Sequence, residues 1–488
     1  MSYDKVIFEI STPGRKGYKL PPLDVEDKGL ENYIPDEFRD DNDLDFPEVN
    51  EVDVIRHYTN LSMKNFGVDT GFYPLGSCTM KYNPKINEDI AKLPGFTNVH
   101  PYQDVRTVQG TLEMLYKVGD SLSVTAGMDY MSLQPAAGAH GEITGIALIR
   151  AYHEDRGDSK RNKIIVPDSA HGTNPATAAM AGYKIVEIKS AEDGTVDLEA
   201  LKAACGDDTA ALMLTNPNTL GIYDKNIKDI TKIVHDAGGL CYYDGANMNA
   251  VLGQSTAGAM GFDVVHFNVH KTYSTPHGGG GPGAGPVGMK SILKPFIPAP
   301  IIDKSEDGYF INRDIEKSLG RMKDFYGHTQ VLLKTYAYLL TMGADGLKEA
   351  STCAVLNANY LQNSLKEFYN LPIDDVCMHE FVFDNVKNDN GITTLDVAKR
   401  LLDKGFHAPT VYFPLIVHEA MMIEPTETES KATLDTFIKA MKDIYEEAQN
   451  EPELLKSAPQ NTIVRRPDEV KAAKDLIISY SSEEQGEE

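Results

Sequence analysis

A lysine sits where an apolar run gives way to glycine and proline. Residues 263–288 read DVVHFNVHKTYSTPHGGGGPGAGPVG, and three kinds of chemistry compete for Lys271. A Walker-type phosphate loop places its glycines before the lysine, whereas here Lys271 and Thr272 precede them, so that reading fails on order. Gly278, Gly280 and Gly283 satisfy G-x-G-x-x-G, but Pro282 and Pro286 obstruct the helix that a dinucleotide fingerprint must open, and the match is read as accidental. The third reading is a Schiff-base lysine held at a strand end, with small neighbours leaving room for an aldehyde cofactor and a substrate. By itself the segment decides nothing, because most lysines are solvated surface charges.

The company of Lys271 changes that balance. Pyridoxal phosphate needs an amine for its aldehyde, a carboxylate against its pyridine nitrogen and oriented N–H donors for its phosphate. Asp244 closes the run Leu240, Cys241, Tyr242, Tyr243 and is followed by Gly245 and Ala246. A carboxylate emerging there would keep a ring nitrogen protonated, although an Asp-Gly turn needs no ligand to explain it. Residues 133–142, LQPAAGAHGE, join a strand to a helix through small residues, and the helix amino terminus is a place for a phosphate. A tight turn would use the same glycines. Residues 168–175, DSAHGTNP, offer His171 as an imidazole able to lie flat on a pyridine ring. Asn218, in the TNPN turn at 215–218, could approach the cofactor hydroxyl, but an Asn-Pro turn stands without it.

These groups require a scaffold, and the sequence supplies one from about residue 128. Short apolar runs at 128–133, 163–166, 184–188, 210–215, 240–243 and 264–267 alternate with helical patterns, which argues for an α/β layer with a mainly parallel sheet. Ligands in such sheets bind beyond the carboxyl ends of strands. After Arg321 the pattern turns helical. Ala354, Ala358, Leu361 and Leu365 share one face, and Leu434, Phe437, Ile438 and Met441 repeat the stripe. Between them a strand at 381–383 and a helix at 395–402 give a smaller carboxyl-terminal α+β domain. The expected division is 1–106, an amino-terminal arm and helical segment; 107–335, a cofactor-binding large domain; and 336–488, a small domain with a frayed tail at 481–488.

Composition limits the function classes. The 488 residues carry 47 Lys and Arg against 72 Asp and Glu, a net charge of −25, the wrong sign for bulk attraction to nucleic acid or an anionic membrane. No run approaches the roughly 20 apolar residues of a spanning helix, and Asp4, Lys5 and Glu9 interrupt the start where a signal peptide would be apolar. A cytoplasmic protein is expected. Five scattered cysteines without a C-x-x-C pair indicate neither a disulfide framework nor a zinc site. Between Asp24 and Asp53, 13 acidic residues face only Lys28 and Arg39; this arm has too few apolar anchors for a core of its own and either stays mobile or wraps a partner.

The motifs together resemble a known family. FEIS at 8–11 with PGR at 13–15, GSCTMKYNP at 76–84, the His140 and His171 loops, YDGAN at 243–247, the His270-Lys271 segment and IEPTET at 423–428 are similar, in this order, to the pyridoxal-phosphate subunit of glycine decarboxylase. This is the P-protein of the glycine cleavage system, in the second subunit of its split form. The resemblance implies the aspartate-aminotransferase-like fold (fold type I), pyridoxal 5'-phosphate on Lys271, the pyridinium partner at Asp244 and His171 stacked on the ring. It also implies a phosphate held by Gly138, Ala139 and His140, with His270 assisting. Arg321, His277 and Lys81 are conceivable partners for the substrate carboxylate, each with a structural role as the commoner alternative, and no metal is implied. The implied reaction is decarboxylation of glycine, with the aminomethyl group passed to the lipoyl arm of H-protein. The implied partners are a homologous subunit 1, two copies of each, and H-protein. The alternatives are a non-catalytic scaffold completing a partner's site, or another pyridoxal-phosphate enzyme such as a hydroxymethyltransferase or a cysteine desulfurase.

Overall fold

The computed structural model describes residues 5–17, 19–40, 46–277, 283–476 and 478–480. Gly278, Gly280, Pro282, part of the acidic arm at 41–45 and the tail at 481–488 lie outside them. The chain divides into two compact units, Met1–Gly67 with Gln460–Glu488, and Val68–Pro459.

The first unit contains most of the acidic arm and has little core. Its helix Glu51–Ser62 starts at Asn50, whose side chain accepts the Asp53 amide, and none of its residues is buried. An Arg15–Asp53 ion pair at 2.7 Å and the stacking of Phe8 on Tyr480 hold parts of the unit together.

The second unit is built on a seven-stranded sheet: β1 (Tyr130–Ser132), β2 (Lys163–Pro167), β3 (Lys184–Ile188), β4 (Thr209–Leu214), β5 (Leu240–Gly245), β6 (Val264–Phe267) and β7 (Val287–Met289). The spatial order is β1-β7-β6-β5-β4-β2-β3. Only β7 runs against its neighbours β1 and β6; the other pairings are parallel. The six strands expected from the sequence are present, with bounds shifted by up to two residues. β7 was not anticipated, because three residues behind a glycine-proline run give no periodic signal. Past Gly283 the chain enters this strand and not a helix, in keeping with the rejection of the dinucleotide reading.

Central strands buried on both faces read as unbroken apolar runs, and β4 and β5 are buried throughout. Met213, Tyr242 and Val264 face one layer with Ile146 and Ile149, while Leu212, Tyr243 and Val265 face the other with Leu122 and Leu332. The helix Gly138–Asp155 lies unusually close to the sheet. A Cβ on Gly138, Gly141 or Gly145 would fall 2.4 Å from Asn268 Oδ1, 2.9 Å from His266 Cβ and 2.4 Å from Tyr242 Cε2, respectively. Three glycines on one face thus set how near the helix can come, and with it where its amino terminus points.

A second sheet of order β10-β12-β11 comprises β10 (Phe381–Asp384), β11 (Thr410–Val411) and β12 (Ala420–Ile423), after the hairpin of β8 (Ile301–Ser305) and β9 (Gly308–Asn312). Helices Thr329–Leu365, Thr394–Asp403 and Lys431–Asn450 accompany it; the first is interrupted at Gly343, where φ is +61°. The stripes Ala354, Ala358, Leu361, Leu365 and Leu434, Phe437, Ile438, Met441 are buried as their spacing indicates. In the antiparallel register Phe381 pairs with Ile423, so the residues just outside that pair, Glu380 and Glu424, are brought side by side. Leu75 bridges to Ile423, and Thr410 Oγ1 donates to the Gly76 carbonyl at 2.6 Å, seating residues 75–81 across this sheet.

If the glycine stripe sets the approach of the helix, Gly145→Ala is expected to cost about 1–3 kcal/mol, the usual range for overpacking a filled core. A chemical-denaturation midpoint equal to that of the parent protein would show that the helix can slide without penalty.

Candidate active site

The carboxyl ends of the parallel strands open into a cavity of about 160 Å³. β1 leads to Gly138 and Ala139, β2 to His171 and Thr173, β4 to Thr215 and Asn218, β5 to Asp244 and Ala246, and β6 to Asn268 and Lys271; all of these line it, with Ser77, His379 and Glu380 opposite. Lys271 is buried, and its Nζ donates to the Ser77 carbonyl at 2.6 Å.

Asp244 is 3 % exposed. Its Oδ2 accepts from Asn174 Nδ2 at 2.8 Å and its Oδ1 from the Ala246 amide at 3.0 Å. Burial pushes its pKa up, but His266, the two hydrogen bonds and Lys271 more than offset this and hold it below the ordinary carboxylate value. His266 cannot contribute a full charge, since its own pKa is lowered by burial. Its part is geometric. The Tyr242 hydroxyl, kept protonated by burial, is hydrogen-bonded to His266 Nδ1 at 2.5 Å, and His266 Nε2 faces Asp244 Oδ1 at 3.5 Å.

One anion in a buried site raises the cost of the next. Glu142, in the second turn of the Gly138 helix, is pushed up to about 7 by burial and by Asp244, although the hydroxyls of Thr173 and Thr177 donate to it. Glu380 rises to about 8 through burial and its neighbour Glu424. Glu424 rises to about 7, chiefly through burial, while accepting from Thr79 Oγ1 and Asn247 Nδ2. The site therefore combines an ionised Asp244, a buried amine and several carboxyls near the point of holding a proton.

Of the residues singled out from the sequence, Lys271, Asp244, His171, Gly138, Ala139 and Asn218 line the cavity. The amide and carbonyl of Asn218 are committed to the Gly194 carbonyl and the Leu220 and Ile222 amides, as an Asn-Pro turn requires. His140 and His270 are not among the lining residues. His140 Nδ1 turns back to accept the Ala136 amide at 3.1 Å, and His270 packs against His277, ring centroids 5.1 Å apart. Lys81 forms a buried ion pair with Glu427 at 2.7 Å, and Arg321 reaches Asp324 and the Tyr102 hydroxyl. Glu142, Asn174, His266, His379, Glu380 and Glu424 were missed. Only His266, a titratable residue inside an apolar strand, carried a signal in the sequence.

The cavity fits a polar, anionic ligand. Buried side-chain atoms at its wall, Thr215 Oγ1 and Asn268 Oδ1, have no hydrogen-bond partner among the described residues, a condition rare in folded proteins unless something else completes it. The 18-residue helix Gly138–Asp155 begins at Ala137 without a side-chain cap, leaving its first amides to a phosphate. An amine, a fixed carboxylate and an uncapped helix terminus in one cavity are the three demands of pyridoxal phosphate.

A carboxyl whose folded-state pKa is raised binds its proton more tightly folded than unfolded, so the fold loses stability as pH rises from 4.5, the ordinary value, towards about 8 for Glu380. Glu380→Gln is expected to remove that loss, with a gain in thermal midpoint over the parent that is small near pH 4.5 and largest above pH 8. A pH-independent difference would show that Glu380 titrates normally.

Comparison with known proteins agrees with this geometry. Residues 141–280 match the family profile Aminotransferase class-V, and residues 350–468 match Glycine dehydrogenase, C-terminal domain. The chain is 61% identical over 483 residues to the "Probable glycine dehydrogenase (decarboxylating) subunit 2" of Alkaliphilus oremlandii, covering 99% of each chain. It is 60% identical over 480 residues to the protein of that name from Caldanaerobacter subterraneus, covering 98% of this chain and 99% of the other. A crystal structure of glycine decarboxylase (P-protein) of the glycine cleavage system, in inhibitor-bound form, superposes with a TM-score of 0.71 at 19% identity, over 85% of this chain and 94% of that one. The fold is the aspartate-aminotransferase-like fold of pyridoxal-phosphate enzymes, as expected. With relatives this close along nearly its whole length, the chain belongs to the family of glycine dehydrogenase (decarboxylating) subunit 2.

Proposed function

We propose that this subunit carries pyridoxal 5'-phosphate on Lys271 and decarboxylates glycine, the remaining aminomethyl group passing to the lipoyl arm of H-protein. The observation that carries the reading is the meeting, in one cavity, of Lys271, the ionised Asp244 and the uncapped amino terminus at Gly138. In this reading residues 107–335 form the cofactor-binding domain and 336–488 the smaller one. A homologous subunit 1 is the partner, two copies of each, in the cytoplasm; the designation of the relatives as subunit 2 supports a partner of that kind.

When bound, the cofactor supplies an electron sink for the pair left on carbon as the bond to the carboxylate breaks. The residues of the chain prepare that event. Lys271 provides the amine, oriented by the Ser77 carbonyl. Asp244, kept anionic by Asn174 and Ala246, holds a proton on the pyridine nitrogen, and fixed electrostatics of this kind act without reorganisation at the moment of reaction. The first amides of the Gly138 helix, with Ala139, would hold the phosphate, and His171, its Nδ1 held 2.8 Å from Thr173 Oγ1, would supply an imidazole to pack on the pyridine. His140 and His270 support this from behind the wall, the first by shaping the turn at Ala136. The electrons released from glycine reduce the lipoyl disulfide of H-protein, which receives the aminomethyl carbon on one sulfur.

A scaffold subunit would have no use for a buried amine facing a buried carboxylate. Borohydride reduction of the purified protein is expected to fix a pyridoxyl group on the peptide containing Lys271, and Lys271→Ala should lose both that adduct and the cofactor absorbance band. Asp244→Asn should retain the cofactor but lower glycine–bicarbonate exchange, measured with subunit 1 and H-protein present, about a hundredfold or more. An adduct on any other lysine would refute the assignment.

A further inference from the structure

One group in the cavity has no part in the roles above. His379, on the segment entering β10, is 2 % exposed and lines the cavity, and neither of its ring nitrogens has a hydrogen-bond partner among the described residues. Buried polar groups left unpaired are rare and costly, which points to a ligand as the missing partner. The carboxylates nearby are already engaged. Glu380 Oε2 accepts the Ser77 amide at 2.8 Å, and Glu424 accepts from Thr79 and Asn247. His379 Nε2 lies 3.7 Å from Glu380 Oε1, too far for a hydrogen bond. Of this trio the imidazole is the unclaimed one.

Its location identifies the ligand. Ser77 holds Lys271 Nζ through its carbonyl and Glu380 through its amide, so the His379–Glu380 pair sits beside the amine that a substrate nitrogen replaces. An amino acid whose nitrogen takes that place carries its α-carboxylate two bonds away, against this wall. Among the described residues no arginine lines the cavity. Burial and Lys271 hold His379 neutral, its pKa lowered to about 3. A carboxylate here meets uncharged donors.

We propose that His379 donates a ring N–H to the α-carboxylate of the amino-acid substrate and so orients the bond that breaks. The inference rests on the reading of Lys271 as the cofactor lysine and deepens it. The choice of an uncharged donor follows from the chemistry. A guanidinium would stabilise the carboxylate most before its charge departs, deepening the ground state and raising the barrier. A neutral imidazole orients the group with less of that penalty.

The test uses the full chain loaded with pyridoxal phosphate, with subunit 1 present, titrated with glycine and separately with methylamine while the cofactor absorbance is followed. His379→Phe, which keeps a ring in place, and His379→Ala are expected to weaken glycine binding about ten- to a hundredfold while methylamine, which lacks the carboxylate, changes by less than about twofold. His379→Asn, which restores an N–H donor, should recover part of the glycine affinity. A normal cofactor band with unchanged glycine binding, or equal losses for glycine and methylamine, would overturn the role of His379 alone. Absence of the band in the parent protein would overturn the Lys271 reading, and this inference with it.

Discussion

A carboxylate kept ionised in the interior sets the terms for everything near it. Asp244 is shielded from water yet stays charged, because His266, an amide side chain, a backbone N–H and Lys271 together outweigh desolvation. Its charge then acts on its surroundings. It adds to the burial that drives Glu142 towards protonation, while Tyr242 holds the His266 ring in place through Nδ1. The cavity thus holds one firm negative charge and one amine among groups that are neutral or nearly so. Such an arrangement leaves little competition for the two charges that must act on a ligand.

The scaffold explains how that balance is met. Five strands deliver their carboxyl ends to one rim, and the glycine face of the Gly138 helix lets its amino terminus reach the same rim. The opposite wall comes from elsewhere in the chain. The Phe381–Ile423 register sets Glu380 beside Glu424, and residues 75–81 lie over them, linking Lys271 through Ser77 to the second sheet. Like charges brought together by strand pairing are unfavourable, and Glu424 adds to the burial that raises Glu380, while Glu424 itself is raised chiefly by burial.

Legibility in the sequence followed locality. Lys271, Asp244 and His171 were readable because each follows an apolar run, Asp244 and His171 directly before a glycine and Lys271 a few residues ahead of a glycine-proline stretch. The parallel sheet and the helical stripes were readable by periodicity. Glu142, Asn174, Glu380 and Glu424 were not, since their roles come from neighbours 31 to 345 positions away, and a glutamate on a helix or at a strand end looks like any solvated one. His140 and His270 show the converse: a place in a motif put them beside the site, while the local hydrogen bond of one and the packing of the other turned the rings away from the cavity.

The buried Lys81–Glu427 ion pair joins positions 346 apart. At a synthesis rate of about 5–20 residues per second, roughly 20 to 70 seconds separate the arrival of the lysine from that of its partner on the ribosome. Throughout that interval a cation destined for the interior lacks its ion-pair partner. Pairing of this buried lysine is therefore a late event in synthesis, and a chain ending before Glu427 would carry Lys81 without the carboxylate that neutralises it.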